Sequence, residues 1–303
     1  MFTEKDVLRA ALARLTGLKC RERRLLTIKV ENVDRLRHSH ASEVEVWLGR
    51  PLAGKWLPEE ALKKAEQDLR NAERVQAWLW HENASDFPAA LNAICDPPFL
   101  LWGRGNKPPL DRSWAAVVGT RTPSEQGKRA SFHLGRDFAL MGVVVVSGLA
   151  RGIDAQAHRG VLEARGRTVA VLGQGIDWVF PASNNFLARR LLENDGTLLS
   201  EYPPGTPARA YHFPARNRLV SGLCRSLIVV EAPASSGALI TVDFGLDQGR
   251  DVLVHRVGLT SPCGEGVRKL AEEGAPVIES GHDVVRLWAA GGVGLEDSQL
   301  RFL

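Results

Sequence analysis

The sequence predicts an α/β fold in which a doubly wound parallel sheet follows a small helical N-terminal domain. From Trp114 onward, short β-branched runs alternate with longer stretches of helical periodicity. These runs are apolar along their whole length, as expected of strands that helices cover on both faces. Before Trp114 the apolar residues follow helical spacing instead. Right-handed crossovers between such strands produce a Rossmann-like domain.

The N-terminal part, residues 1–112, is expected to be a helical domain with a lead-in segment. Thr3–Asp6 has the spacing of a capping box at the start of the first helix. A second long helix is expected to begin at Pro58 and to continue toward Trp80. The segment 96–110 is rich in proline and glycine, which predicts an irregular lead-in to the sheet.

Residues 113–290 are expected to form the sheet domain, and 291–303 a short polar tail. The predicted strands are Trp114–Val118, Val143–Val146, Thr168–Leu172, Thr197–Ser200, Leu227–Val230, Val252–His255 and Pro276–Ile278. The predicted helices are Glu125–Met141, Asp154–Ala164, Phe186–Glu193, Pro214–Leu223, Ala238–Gln248 and Glu265–Glu273. Ligands of such sheets bind beyond the carboxyl ends of the strands, so the loops that follow each strand are the candidate site.

Composition and charge exclude several classes of protein. Hydrophobic residues make up 44% and charged residues 24% of the 303 residues, which is typical of a globular protein and not of a disordered chain. No apolar run approaches the ~18 residues of a membrane span, and the N-terminus shows no signal-peptide pattern. The four cysteines form no CxxC pair, which predicts reduced thiols and a cytoplasmic location. The net charge of +4 permits an acidic partner without requiring one.

The loops after the predicted strands suit a phosphate group. Gly, Ser, Thr and Arg dominate them, most clearly in Gly119–Lys128, Ser147–Asp154 and Glu231–Gly237. Small residues let the backbone approach a ligand closely, and amides at the start of the following helix attract an anion. Because these loops converge at one edge of the sheet, they favour anion binding.

Known catalytic, metal and cofactor motifs do not fit this chain. The spacing between Gly119 and Gly127 is too long for a P-loop, and Trp178 stands where a dinucleotide-binding loop needs its third glycine. Asp154 and His158 share one helix face but have no third ligand at a useful spacing, so a capping aspartate and a helix-surface histidine are expected. The sequence therefore predicts no catalytic residue, no metal and no cofactor.

The segment between Glu201 and Glu231 contains no acidic residue. It contains Arg209, Arg216, Arg218 and Arg225, with Tyr211, His212 and Phe213 beside them. Guanidinium groups hold phosphates and rings stack on bases, which a single strand exposes, so the pattern favours single-stranded nucleic acid. The alternative is a solvated basic helix with Phe213 in the core. Arg216 and Arg218 cannot share one helix face, so one of them can have a structural role.

Six motifs occur in an order that is typical of one known family. In the sheet domain they are Val117–Arg121, Ser147–Asp154 followed by Ala157-His158, Phe213–Arg218 and Ser235–Thr241. Ahead of the sheet they are Phe87–Leu91 and Asp96–Gly103. Together they resemble the DprA (Smf) family of DNA-processing proteins. The resemblance covers about residues 86–280, whereas residues 1–80 match weakly.

The resemblance implies a protein without enzymatic activity that acts in natural transformation and DNA recombination. Proteins of this family bind and protect incoming single-stranded DNA in competent cells, load RecA recombinase onto it and displace single-strand-binding protein. They form homodimers through the Rossmann-like domain. The expected partners are therefore single-stranded DNA, RecA, a second copy of the chain and single-strand-binding protein, with no membrane. Many members carry a C-terminal winged helix, which 291–303 is expected to be too short to form.

Motif position also implies which residues contact DNA. Arg121 is expected to grip a phosphate, Phe213 to stack on a base and Arg216–Arg218 to line the groove. Arg209 is expected to substitute for a basic residue at the position of Ala210. The full expected set is Gly119, Thr120, Arg121, Ser147, Gly148, Arg151, Gly152, Arg209, Phe213, Arg216, Asn217, Arg218, Ser235, Ser236 and Gly237.

An alternative function is an enzyme that processes a nucleotide or nucleoside phosphate in the same crevice, as phosphoribohydrolases of related fold do. Those enzymes resemble one another in a Pro-Gly-Gly-x-Gly-Thr motif with a glutamate on the next helix. The corresponding stretch here, Ala234–Leu239, does not contain the motif. The sequence therefore favours a DNA-binding protein over this enzyme.

Overall fold

The computed structural model describes residues 2–82 and 84–290, so the predicted tail, 291–303, lies outside the described residues. The chain begins with five helices. They are α1 Glu4–Arg14, α2 Cys20–Val30, α3 Val33–Arg37, α4 Ala41–Leu48 and α5 Pro58–Arg74. The capping box before α1 is confirmed, because the Thr3 hydroxyl accepts from the Asp6 amide and the Asp6 carboxylate accepts from the Thr3 amide.

Two strands follow the helices within residues 1–112, where the sequence predicted helix and irregular chain. They are β1 Ala77–His81 and β2 Leu100–Gly105, which pair antiparallel. The expectation that α5 continues toward Trp80 is wrong, and so is the expectation of a wholly irregular segment 96–110. Both strands are explained by tertiary pairing, since β2 lies between β1 and a central strand and buries its apolar residues there. The domain division at residue 112 stays a prediction.

Seven more strands complete one sheet. They are β3 Trp114–Val118, β4 Val144–Ser147, β5 Thr168–Leu172, β6 Thr197–Ser200, β7 Ser226–Val229, β8 Asp251–His255 and β9 Val277–Ile278. The order in the sheet is β1-β2-β6-β5-β4-β3-β7-β8-β9, and every pair from β6 to β9 is parallel. The predicted doubly wound α/β fold is therefore confirmed, with two antiparallel strands added at one edge.

The remaining helices connect these strands. They are α6 Ala89–Asn92, α7 Glu125–Leu140, α8 Ile153–Glu163, α9 Asn185–Glu193, α10 His212–Leu223, α11 Gly237–Asp247, α12 Arg256–Thr260, α13 Glu265–Glu272 and α14 Gly281–Ala290. The six helices predicted after Trp114 are all present, with ends that differ by one or two residues. No helix in the described part of the chain is long and apolar enough to cross a membrane.

The central strands are buried on both faces. Along β3, Ala116 and Val118 pack into one core, and Ala115 and Val117 pack into the core on the opposite face. This arrangement follows from the two-residue period of a strand and explains why the sequence runs are continuously apolar. A third core joins the N-terminal helices to the sheet.

The sheet has a topological switch point between β3 and β7. The chain passes from β3 through β4 and β5 to β6 on one side, then returns through α10 to β7 on the other. The loops beyond the carboxyl ends of β3 and β7 therefore diverge and leave a crevice, which is where open α/β sheets bind ligands.

Candidate nucleic-acid interface

An open pocket of about 700 Å³ lies at this switch point, between the loops after β3, β4 and β7 and the start of α10. Ten of the predicted site residues line it. They are Gly119, Thr120, Arg121, Gly148, Phe213, Arg216, Asn217, Ser235, Ser236 and Gly237. The fold thus brings motifs that are far apart in the chain together at one place.

The loop that carries Arg121 is anchored by a buried carboxylate. Glu231 is fully buried, and its side chain accepts hydrogen bonds from the Ser124 amide at 2.9 Å and the Ser124 hydroxyl at 2.5 Å. The backbone carbonyl of Glu231 accepts from the Thr120 amide at 2.7 Å. The Arg121 side chain itself is exposed, with its guanidinium carbon 5.9 Å from the centroid of the Phe213 ring. The loop is therefore held at both ends while its arginine faces the pocket.

A second loop packs against the first through Gly152. This glycine has a positive φ of 82°, and a Cβ atom there would lie 2.3 Å from the Thr120 carbonyl oxygen. The Ile153 amide donates to the same carbonyl at 3.2 Å. Only glycine combines this backbone conformation with so close an approach. Gly152 therefore does not line the pocket but sets the position of the Arg121 loop.

Asp154 organises the loop after β4. The carboxylate is buried and accepts hydrogen bonds from the amides of Gly148 at 3.1 Å and Ala150 at 3.3 Å. Burial raises the pKa of this carboxyl, while the nearby Arg216 and the two amides act in the opposite direction. The expectation of a capping aspartate is wrong, because the N-cap of α8 is Gly152 and the Asp154 carboxylate accepts from amides of the preceding loop instead of from the first amides of the helix.

The expectation of a helix-surface His158 is wrong. The ring is fully buried and its Nδ1 lies 2.7 Å from the Thr168 hydroxyl. Burial lowers the pKa of His158 to about 3, so the ring is neutral at physiological pH. The physical reason is that α8 is covered by both the sheet and α7, so it has apolar neighbours on two sides. In the described part of the chain no three His, Cys, Asp or Glu residues form a potential metal site.

Arg216 lies beneath the pocket with its charge buried. Its guanidinium donates to the carbonyls of Gly148, at 2.8 Å, and Val171. A Cβ atom on Gly148 would lie 2.5 Å from Nη2 of Arg216, so this glycine makes room for the guanidinium. Burial lowers the pKa of Arg216 to about 10, which leaves it charged at neutral pH. The charged residues that line the pocket are Arg121, Arg216 and Asp154, so the net charge of the lining is positive.

The ring of Phe213 is half-buried at the pocket wall and is not part of the hydrophobic core. It lies 5.7 Å from the ring of Phe180, measured between centroids, at an interplanar angle of 40°. Phe180 was not predicted as a site residue. The sequence signal that could have identified it is an aromatic residue a few positions after the predicted strand Thr168–Leu172. Other lining residues that sequence reasoning missed are Ala208, Ala210, Ile240 and Thr241.

Five predicted site residues do not line the pocket. They are Gly152, described above, and Ser147, Arg151, Arg209 and Arg218. The Ser147 hydroxyl is fully buried and donates to the Val117 carbonyl at 2.6 Å, so it joins two strands. Arg151 is exposed. Arg209 is exposed and donates to the Tyr211 hydroxyl at 2.9 Å.

Arg218 also lies outside the pocket lining, and its charge is paired within the protein. Two of its guanidinium nitrogens donate to the Glu201 carboxylate, at 2.6 and 2.8 Å, and Nε donates to Asp96 at 3.0 Å. The two carboxylates raise the pKa of Arg218 despite its burial. The geometry gives this arginine a structural role, so its predicted contact with DNA stays a prediction that the structure does not favour.

The part of the chain that matches known proteins is the part that contains the sheet. Residues 78–289 match the family model of DNA recombination-mediator protein A. DNA processing protein DprA of Streptococcus pneumoniae (strain ATCC BAA-255 / R6) is 41% identical over 201 residues, which are 66% of this chain and 70% of the relative. DprA of Bacillus subtilis (strain 168) is 38% identical over 203 residues, 67% of this chain and 68% of the relative.

Solved structures of DprA proteins resemble this chain in fold. The X-ray structure of DprA from Streptococcus pneumoniae has a TM-score of 0.74 and 32% identity, and the match covers 94% of this chain and 98% of that one. The structure of DNA processing protein A from Helicobacter pylori, described for its unique single-stranded DNA binding mode, has a TM-score of 0.63 and 27% identity over 71% of this chain and 97% of that one. This chain therefore belongs to the DNA recombination-mediator protein A family, the DprA/Smf family of DNA-processing proteins.

Proposed function

We propose that this protein binds single-stranded DNA in the switch-point pocket, without catalysing a reaction, and hands it to RecA recombinase. The observation that carries the proposal is the placement of one exposed arginine, one buried arginine and one half-exposed phenylalanine ring around a single pocket. Cations for the phosphates and a ring for a base are the two elements that non-specific single-strand binding requires.

Three features supply the phosphate contacts. Arg121 is exposed at the pocket, so it can adjust to a backbone that enters from solvent. Arg216 contributes a fixed positive charge below the floor. The N-termini of α8 and α11 also lie beside the pocket, and their amides and helix dipoles favour an anion.

The ring of Phe213 supports the proposed preference for a single strand. Stacking on such a ring is worth ~1–3 kcal/mol per base, but the faces of the bases must be accessible. A duplex hides these faces, whereas a single strand presents them. The Arg121 guanidinium beside the ring places a phosphate contact next to the stacking position.

The alternative enzyme function finds less support. Among the described residues that line the pocket, Asp154 is the one carboxylate, and it accepts hydrogen bonds from the Gly148 and Ala150 amides. A carboxylate held in this way positions a loop and is not available as a general base. The single-stranded DNA binding described for the Helicobacter pylori relative supports the binding proposal instead.

The partners and the setting follow from the family. We infer that the protein acts in the cytoplasm of competent cells, protects incoming DNA during natural transformation, and forms a homodimer that loads RecA on strands covered by single-strand-binding protein. The test is RecA-dependent strand exchange on such coated DNA. Addition of this protein should shorten the lag, and an unchanged lag would reject the mediator role.

Binding itself is tested by fluorescence anisotropy with matched single- and double-stranded oligonucleotides over a salt series. We expect a clear preference for the single strand and an affinity that falls as the salt concentration rises. Equal affinity for the two forms would contradict the stacking argument.

The Arg121→Glu variant tests the phosphate site. It should weaken single-strand binding by at least about tenfold at low salt, because one cation is lost and a repelling charge is added. The matched control is Arg189→Glu, which makes the same charge change at an exposed residue of α9 that does not line the pocket. Equal losses in both variants would mean that only the net charge matters.

A further inference from the structure

Exposed aromatic residues are concentrated in the part of the chain between β5 and α10. The large apolar side chains that are exposed in the described residues include four aromatic ones, Trp178, Phe180, Phe186 and Tyr211. All four come from the stretch that follows β5 and precedes α10. Exposed fractions are 37% for Trp178, 45% for Phe180 and 62% for Tyr211. Burial in a core would stabilise such rings, so their joint exposure at one edge of the sheet indicates a contact surface.

Three of these rings lie on two loops that are tied together. We call this surface the ledge and define it as residues 173–180 and 201–211. The Thr206 carbonyl accepts from the Gly175 amide at 3.0 Å and from the Trp178 indole at 3.2 Å. The Asp177 carboxylate accepts from the Gly205 amide at 2.8 Å. The ledge is therefore a fixed platform.

The ring of Tyr211 is braced from within. His212 is buried, its Nδ1 lies 3.0 Å from the Gly173 carbonyl, and its ring stacks on Tyr202 at 3.9 Å between centroids. Tyr211 meets the His212 ring edge-on at 4.6 Å. One side of Tyr211 is thus supported by protein, while most of the ring faces solvent.

The ledge is continuous with the pocket and carries a cation. Phe180 lines the pocket and also belongs to the ledge. Arg209 is exposed and donates to the Tyr211 hydroxyl at 2.9 Å, so a guanidinium stands beside an exposed ring, as Arg121 stands beside Phe213. The ledge carboxylates are occupied, Asp177 by the Gly205 amide and Glu201 by Arg218.

We propose that the ledge is a second stacking subsite, on which the strand that leaves the switch-point pocket continues across the carboxyl ends of β5 and β6. Phe180 lies at the junction, Tyr211 and Trp178 present rings to further bases, and Arg209 contacts the backbone between them. This inference rests on the proposed function, because the occupant is the same strand. The inference specifies the direction in which the strand leaves the pocket, and it makes the binding site longer than the pocket alone.

The test uses oligothymidylates of roughly 6 and 20 nucleotides, within and beyond the usual range of such sites. The Tyr211→Ala variant should lower affinity for the longer oligonucleotide by about fivefold or more and leave the shorter one within about twofold. Tyr211→Trp should restore the affinity. The control is Leu246→Ala, which truncates an exposed apolar residue near the end of α11, and it should change neither affinity.

The outcomes separate the two proposals. If the wild-type protein binds neither oligonucleotide, the proposed function fails. If it binds both and Tyr211→Ala matches the wild type on the longer one, the ledge proposal alone is overturned. A loss by Tyr211→Ala that is equal for the two lengths would also overturn it, because it would place Tyr211 within the first subsite. Quenching of tryptophan fluorescence by the longer oligonucleotide, reduced in Trp178→Phe, would support the ledge independently.

Discussion

Replacement of Arg218 by methionine should destabilise the protein and leave its DNA affinity nearly intact. The methionine keeps most of the side-chain volume but removes the guanidinium that joins Glu201 and Asp96. Glu201 would then keep a carboxylate that is largely buried, at 23% side-chain exposure, without its cationic partner. The substitution therefore tests whether this arginine holds the fold together or contacts DNA.

The expected magnitude follows from the burial of the three groups. Removing one partner of a fully buried pair costs about 3–5 kcal/mol. Asp96 is 73% exposed, so it returns to water at little cost, and Glu201 is partly solvated. The expected loss of unfolding free energy is accordingly about 2–3 kcal/mol. With an m-value of about 3 kcal/mol/M, the urea midpoint should fall by nearly 1 M.

The assay combines urea denaturation, followed by circular dichroism, with anisotropy measured where the variant is folded. Affinity for single-stranded DNA should stay within about twofold of the wild type. The double variant Arg218→Met/Glu201→Leu should recover much of the midpoint, because neither charge remains buried. An unchanged midpoint together with a loss of affinity as large as that of Arg121→Glu would refute the structural role.

Three further predictions concern the pocket and the core. Phe213→Ala should lose ~1–3 kcal/mol of single-strand binding free energy at high salt as well as low, since stacking is less salt-sensitive than charge pairing, and a lowered urea midpoint instead would place the ring in the core. Gly152→Ala should cost about 1–3 kcal/mol of stability and weaken binding, because its Cβ would meet the Thr120 carbonyl, so wild-type values in both assays would contradict the close packing of the two loops. The pKa of His158 is about 3 in the fold against 6.5 in the unfolded chain, so the unfolded state binds more protons between these values. Stability should fall as the pH drops below about 6.5, by up to about 1.4 kcal/mol per pH unit, and the fall should be shallower in His158→Gln.

Most secondary structure from Trp114 onward could be predicted because the strands are apolar on both faces and the longer helices have an amphipathic period. The helices α12 and α14 were not predicted. The same reasoning failed for β1. Its residues follow a long amphipathic helix, and only pairing with β2 distinguishes them as a strand. The segment that contains β2 has several prolines and glycines, but the burial of Leu100–Trp102 beside β6 outweighs that local preference.

The candidate site was likewise predictable in part from local sequence, while the rest depended on tertiary structure. The phosphate-compatible loops could be found because parallel strands place their carboxyl ends at one edge, and the segment without acids could be read directly from the sequence. The burial of His158 could not be predicted, since a single helix does not reveal how many of its faces are covered. The sequence does not identify Phe180 as a site residue, and it places Tyr211 in the basic and aromatic segment without assigning it to the site, because exposure is a property of the whole fold.

The sequence by itself determined the parallel α/β sheet, the edge at which the candidate site lies, and the fact that Arg216 and Arg218 point to different sides of α10. The period of the helix is a local property, so two residues two positions apart must diverge. Only the tertiary structure decided which arginine serves the pocket. Arg216 lies beneath the switch point against carbonyls of β5 and the loop after β4, whereas Arg218 contacts the carboxylates of Glu201, directly after β6, and of Asp96, ahead of β2. These partners are distant from the arginines in the chain, so the sequence around Arg216 and Arg218 does not reveal them. Carboxylate partners give Arg218 a structural role, whereas the carbonyl partners of Arg216 do not neutralise its positive charge beneath the pocket.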